Sequence, residues 1–76
     1  MMTDQPPGGF VRPFAVGTDQ VVDATGRVVL WKAGAVPVLV HAFRMAPDMK
    51  LWLARKTTGV DRTNIAAVCA ALNDEG

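Results

Sequence analysis

The apolar positions of this chain change period as it runs. Between Pro13 and Trp31 they come as short runs, Phe14 to Val16, Val21-Val22 and Val28 to Trp31, rich in β-branched and aromatic residues. Gly17-Thr18-Asp19-Gln20 and Asp23-Ala24-Thr25-Gly26 separate these runs. Such runs between Gly/Asp clusters predict strands joined by tight turns. In Asp23-Ala24-Thr25-Gly26 the aspartate suits the first position of a type I turn, and the glycine suits a left-handed residue after it. That is a three-residue hairpin loop closed by a glycine bulge. A three-stranded antiparallel meander over residues 12–32 is expected, and Gly34 reads as the end of the sheet.

The next segment supports two periods. Val36, Leu39, Val40 and Phe43 fall at i, i+3, i+4 and i+7, one face of a helix. Pro37 would then lie in the first turn, where its missing N–H costs nothing. Val36, Val38 and Val40 also alternate as a strand would, although Pro37 would remove a ladder donor. A helix over 35–45 is the expected reading, with the strand left open. Pro47 disfavours helical geometry at Ala46 and can open a second helix, with Asp48 in its first turn, Lys56 in its last and Gly59 as its C-cap. Leu51, Trp52 and Leu53 span too wide an arc for one buried stripe, which leaves apolar surface for a partner. Ile65, Val68, Cys69 and Leu72 then repeat at i, i+3, i+4 and i+7, predicting a helix that Asp61 or Thr63 can cap and that frays from Asn73 onward. The expected fold class is α+β: a short antiparallel β-meander (12–32) followed by two or three helices (35–45, 47–57, 61–74). One small domain over 10–76 is expected to follow a disordered leader, MMTDQPPGG, at 1–9.

Composition sharpens this in one direction. Half of the 76 residues are hydrophobic and a fifth are charged, while a domain of this size buries only roughly 60% of its unfolded surface. Surplus apolar surface is commonly covered by a partner or a second copy, so a homodimer is one expectation. The net charge of +1 argues against a strongly electrostatic nucleic-acid binder. Yet five cations (Arg44, Lys50, Arg55, Lys56 and Arg62) face two carboxylates (Asp48 and Asp61) between positions 44 and 62. Cys69 is the only cysteine, which excludes an internal disulfide and fits a reducing compartment. The start of the chain has neither the basic nor the apolar region of a signal peptide, and no apolar run is long enough to span a membrane. A soluble, cytoplasmic protein is expected, without membrane contact.

Arg12-Pro13-Phe14, Val22-Asp23 with Gly26, and Ala46-Pro47-Asp48-Met49 through Leu53 stand in an order that resembles a group of small proteins common in bacteriophage genomes and prophages. In that group glycine-proline-tryptophan precedes a short strand, Ile/Val-x-Asp-x-x-Gly forms a hairpin, and a helical segment ends Ala-Pro-Asp/Glu-Leu-Leu-x-Ala-Leu. Here Phe14 replaces the tryptophan, Met49 and Trp52 replace leucine and alanine, and the terminal helix lies outside the pattern. The group mostly lacks an assigned activity, so no functional residue carries over. What the resemblance implies is origin, a phage or mobile-element accessory protein.

Convergent polar chemistry is hard to find. His41 stands alone in an apolar segment, and no Cys/His pair has metal-ligand spacing. Cys69 lies on the apolar stripe of its helix, where a small buried side chain explains it. Gly8-Gly9 lacks the Lys-Ser/Thr of a phosphate loop. No catalytic residue, cofactor or metal is expected, and the chain reads as non-enzymatic. Trp31 and Trp52 each suit a core, but tryptophan, methionine and arginine are also enriched at interfaces. The functional expectation is a protein-binding module that binds and blocks a host protein or protein complex, for example as an inhibitor of CRISPR–Cas. The candidate contact residues are Arg44, Met49, Lys50, Trp52, Arg55, Lys56 and Arg62. The alternative is a nucleic-acid-binding accessory protein using the same basic 44–62 segment, with Trp52 as a stacking surface.

Overall fold

Tight reversals lay down a four-stranded antiparallel meander, and two helices follow. The computed structural model describes residues 5–40 and 47–74. In chain order the elements are β1 (Ala15–Gly17), β2 (Gln20–Val22), β3 (Val28–Ala33), β4 (Val36–Leu39), α1 (Pro47–Lys56) and α2 (Ile65–Asn73). The sheet order is β1-β2-β3-β4, so the fold is α+β. Asp19 closes the first reversal with φ 51°, a left-handed conformation that aspartate tolerates better than most residues.

The second reversal is the one the Asp-Ala-Thr-Gly motif predicts. The Gly26 N–H donates to the Asp23 carbonyl at 3.0 Å, and Gly26 has φ 89°. Opposite this loop, Val22 pairs with Val28 and Val21 with Leu30, so Val29 is an extra residue on β3. Such a bulge breaks the strict alternation of sides. This is why the consecutive Val29 and Leu30 are both buried, at 0% and 5% exposure.

The helix expected over 35–45 is not formed at its start. Val36–Leu39 is β4, paired antiparallel with β3 through Trp31↔Val38, Lys32↔Pro37 and Ala33↔Val36. Residues 41–46 lie outside the described residues. Gly34, with φ 62°, is not the end of the sheet but the first central residue of a two-residue hairpin turn with Ala35, a glycine position of the II′ type. The objection to a strand was the donor lost at Pro37, and register removes it. The Val40 N–H donates to Val29, and the Lys32 N–H donates to Asp19 on the β2 side. Hydrogen-bonded pairs alternate along an antiparallel ladder. Lys32↔Pro37 is therefore a non-bonded pair, and the Pro37 nitrogen faces outward at the sheet edge.

α1 begins at Pro47 with Asp48 in its first turn and Arg55 and Lys56 in its last, complementing the helix dipole. Met49, Trp52 and Leu53 point inward, while Leu51 is 69% exposed. α2 buries Val68, Cys69 and Leu72, as its period predicts, with Ile65 packed at the margin. Its cap is Asn64 rather than Asp61 or Thr63. The Asn64 side-chain oxygen accepts from the Ala66 and Ala67 N–H groups at 3.1 and 3.2 Å. Asp61 instead accepts from the Thr63 N–H and hydroxyl in the preceding turn.

The C-terminal end of α2 is fastened rather than frayed through Asp74. The Asn73 side-chain amide pairs with both backbone groups of Phe14, accepting from N–H at 2.6 Å and donating to C=O at 2.8 Å. Arg12 donates to the carbonyls of Leu72 and Asp74, and Lys56 also donates to Asp74. Cations at a helix C-terminus satisfy its orphan carbonyls and its dipole together. The Arg12 guanidinium lies 5.6 Å from the Trp52 ring, and the Phe14 and Trp52 rings are 6.2 Å apart. Just before this segment in the chain, Pro6 is buried and the Gly9 carbonyl accepts from Arg27. Of the leader expected at 1–9, residues 1–4 lie outside the described residues.

Candidate functional site

The seven residues singled out from sequence do not form one surface. Met49 is 0% exposed and Trp52 4%, because α1 turns its i, i+3, i+4 stripe onto the sheet and α2. Both belong to the core, so neither is available as a contact residue, and Trp52 offers no open face to a base. Arg44 lies outside the described residues. Lys56 is engaged with α2 through Asp74, and the Arg62 Nε–H donates to the Thr57 hydroxyl oxygen at 3.1 Å. Lys50 and Arg55 stand exposed on α1. Part of the basic surplus therefore serves the scaffold.

Besides Leu51 on α1, a group of exposed apolar side chains lies on the side of the sheet turned away from the core. Successive strand residues point to opposite faces. With Leu30 directed inward, Trp31 points out, beside its cross-strand partner Val38 and near Val36 at the hairpin end. Their exposures are 44%, 37% and 61%. Trp31, which the sequence left between core and interface, is thus the largest apolar side chain open to solvent among the described residues. The sequence signal for this was the Gly34-Ala35 hairpin. Once that turn is read, the register of β4 against β3 follows, and with it the outward grouping of Trp31, Val36 and Val38.

Behind the same hairpin, α1 leaves a groove of about 260 Å³. Leu30, Leu39, Leu53 and Val68 form its apolar lining, with Lys50 and Arg62 as its charged members. The Thr57 hydroxyl proton goes to the Leu53 carbonyl at 2.8 Å, so its oxygen is free to hold Arg62 in place. Val36 belongs to both the groove and the outer apolar group. The β4 edge is where the two features meet.

Elsewhere the polar chemistry is structural. Burial pushes the Cys69 thiol up from its ordinary value, which disfavours the nucleophilic thiolate. A disulfide reagent is therefore expected to label Cys69 at least roughly a hundredfold more slowly in the native protein than in denaturant, following local opening. Equal rates in a timed absorbance assay would show an accessible thiol. Among the described residues no group of three or more His, Cys, Asp or Glu side chains is placed to hold a metal ion. His41 lies outside the described residues. No described helix is long and apolar enough to cross a membrane. Comparison with protein families, with curated proteins and with solved structures returned no match.

Proposed function

We propose that this chain is a non-enzymatic protein-binding module, a phage or mobile-element accessory protein that occupies and blocks a host protein complex. CRISPR–Cas machinery is one such target. The observation that carries the binding reading is the outward group of Trp31, Val38 and Val36. A solvent-facing tryptophan next to aliphatic cross-strand neighbours supplies the large, rigid apolar anchor typical of interface hot spots. Support for the origin comes from the resemblance over residues 12–53. The basic 44–62 segment contributes less than its composition suggests, since Met49 and Trp52 are core residues and Lys56 is tied to α2.

The test is capture from bacterial lysate by wild type and by Trp31→Glu, followed by an activity assay of whatever complex is recovered. The Trp31 side chain makes no described hydrogen bond, and replacing it gives up a cross-strand pair with Val38 worth about 0.2–1 kcal/mol. The variant is expected to stay folded, melting at most about 8 °C below wild type, yet to lose a stoichiometric partner whose activity wild type inhibits. Equal recovery by both proteins would overturn the reading. A salt-sensitive gel shift without any protein partner would favour the nucleic-acid alternative.

A further inference from the structure

The groove behind the β3–β4 hairpin has a chemistry that the Trp31 face lacks. Among the described residues its lining is aliphatic apart from Thr57 and the two cations, and no described Asp or Glu joins Lys50 and Arg62 in it. Arg62 is anchored through Nε to Thr57, which leaves its terminal amino groups uncommitted among the described residues. An apolar slot bounded by two cations, with no counter-charge among its described lining residues, is complementary to an apolar group that carries an anion.

Size and edge chemistry narrow the guest. The groove's 260 Å³ falls short of the roughly 300–1,000 Å³ of pockets that enclose a whole drug-sized ligand. It matches a side chain or two of a larger molecule. Pro37 presents an outward nitrogen without a proton at the β4 edge, so a partner strand pairing there would miss a donor. Recognition at this edge is therefore by side chains rather than by strand addition.

We infer that the groove takes a leucine or phenylalanine side chain from a peptide segment of the bound protein, with an adjacent Asp or Glu whose carboxylate pairs with Lys50 and Arg62. The inference rests on the protein-binding reading and names the chemistry of the segment bound. It makes the β4 edge a two-sided contact, with Trp31 and Val38 on one side and the cation-flanked groove on the other.

The experiment is an NMR titration of the isotope-labelled full chain with the peptide GSEELFEESG and with its charge-reversed counterpart GSKKLFKKSG. The acidic peptide is expected to shift the amide signals of Leu39, Lys50, Thr57 and Arg62, and to weaken as salt is added, while the basic peptide leaves them in place. Lys50 is exposed on α1, so Lys50→Glu keeps the fold. It is expected to weaken the acidic peptide about tenfold, because reversing one exposed charge replaces attraction with repulsion. Arg62→Gln should weaken it in the same direction. The inference fails if both peptides bind alike, if neither binds at millimolar concentration, or if Lys50→Glu changes nothing. Shifts produced by sodium octanoate but not by the acidic peptide would reassign the groove to a small carboxylate. Concentration-dependent broadening without peptide, lost in Lys50→Glu, would reassign it to a second copy. Partner capture that depends on Trp31 but comes with no peptide preference overturns this inference alone. Peptide binding without any captured partner overturns the inhibitor reading alone.

Discussion

Asp23→Ala is expected to leave the chain largely unfolded at physiological temperature. The carboxylate is 3% exposed and joins the hairpin loop to the chain before β1. One oxygen accepts from the Val11 N–H at 3.1 Å. The other accepts from the Thr25 N–H and hydroxyl and from the Arg27 N–H, at 3.0, 2.6 and 2.9 Å. Arg27 adds an ion pair at 3.6 Å, and the Ala24 N–H returns a bond to the Val11 carbonyl. Removing the carboxylate strands several donors at once, and each such loss in a buried setting costs about 1–3 kcal/mol without being additive. A net loss of about 3–5 kcal/mol is comparable with the roughly 4–11 kcal/mol total stability of a domain this size. At about 4–8 °C per kcal/mol, the melting midpoint falls by tens of degrees. Asp23→Asn, which keeps one acceptor oxygen but turns an NH2 toward the donors, is expected to fall between alanine and wild type. A melting curve for Asp23→Ala that overlays wild type would show that the network contributes nothing.

The same residue gives the acid limb of stability a definite sign. Burial pushes the Asp23 carboxyl up, but the hydrogen bonds from Thr25, Arg27 and Val11 together outweigh it and hold it below its ordinary 3.8. A carboxyl lowered by folding contributes stability that is whole above its unfolded value and lost as pH falls through its folded value. Wild type is therefore expected to lose stability below about pH 4, and its advantage over Asp23→Asn to shrink over that window. Denaturant unfolding at neutral pH and in acid measures both.

Asp23 also shows how far the sequence could be read. The hairpin was legible because Asp-Ala-Thr-Gly is local chemistry, complete within four residues. That Asp23 also holds Val11 was not, since the contact depends on how the chain before β1 returns to the hairpin. The helices at 47 and 65 were legible through a proline, an aspartate and a 3.6-residue period. Val36–Leu39 was misread because valines spaced two apart and a leucine three along satisfy both periods over so short a span. What decides between them is long-range, namely whether Pro37 falls on a bonded or a non-bonded position opposite β3. The candidate site suffered from the same limit. Composition placed tryptophan, methionine and charge together in 44–62, but only the fold decides which of two tryptophans faces water. The bulge at Val29 shifts strand parity just before Trp31, so simple alternation along β3 cannot be carried through from its start.

Trp52→Ala is expected to be the most damaging core substitution, and it separates the two tryptophans cleanly. The Trp52 ring is packed beside Phe14 and under Arg12, in a cluster with Met49, Leu53 and Leu72. Truncating a buried aromatic of this kind costs about 3–5 kcal/mol, from lost transfer energy and the cavity left behind. The loss reaches further than the void, because the guanidinium over the ring is the same one that donates to the Leu72 and Asp74 carbonyls at the end of α2. Trp52→Phe keeps an aromatic face for Arg12 and is expected to recover much of the loss. If Trp52 were instead a contact residue on an exposed helix face, its alanine variant would fold as wild type does and fail only in partner capture. Circular dichroism during denaturation distinguishes these outcomes. Iodide quenching then assigns the emission, since in the folded protein Trp31 is expected to be quenched and Trp52 to be protected. A Trp52→Ala protein that melts normally would return this residue to the surface, and with it the 44–62 segment to the centre of the binding site.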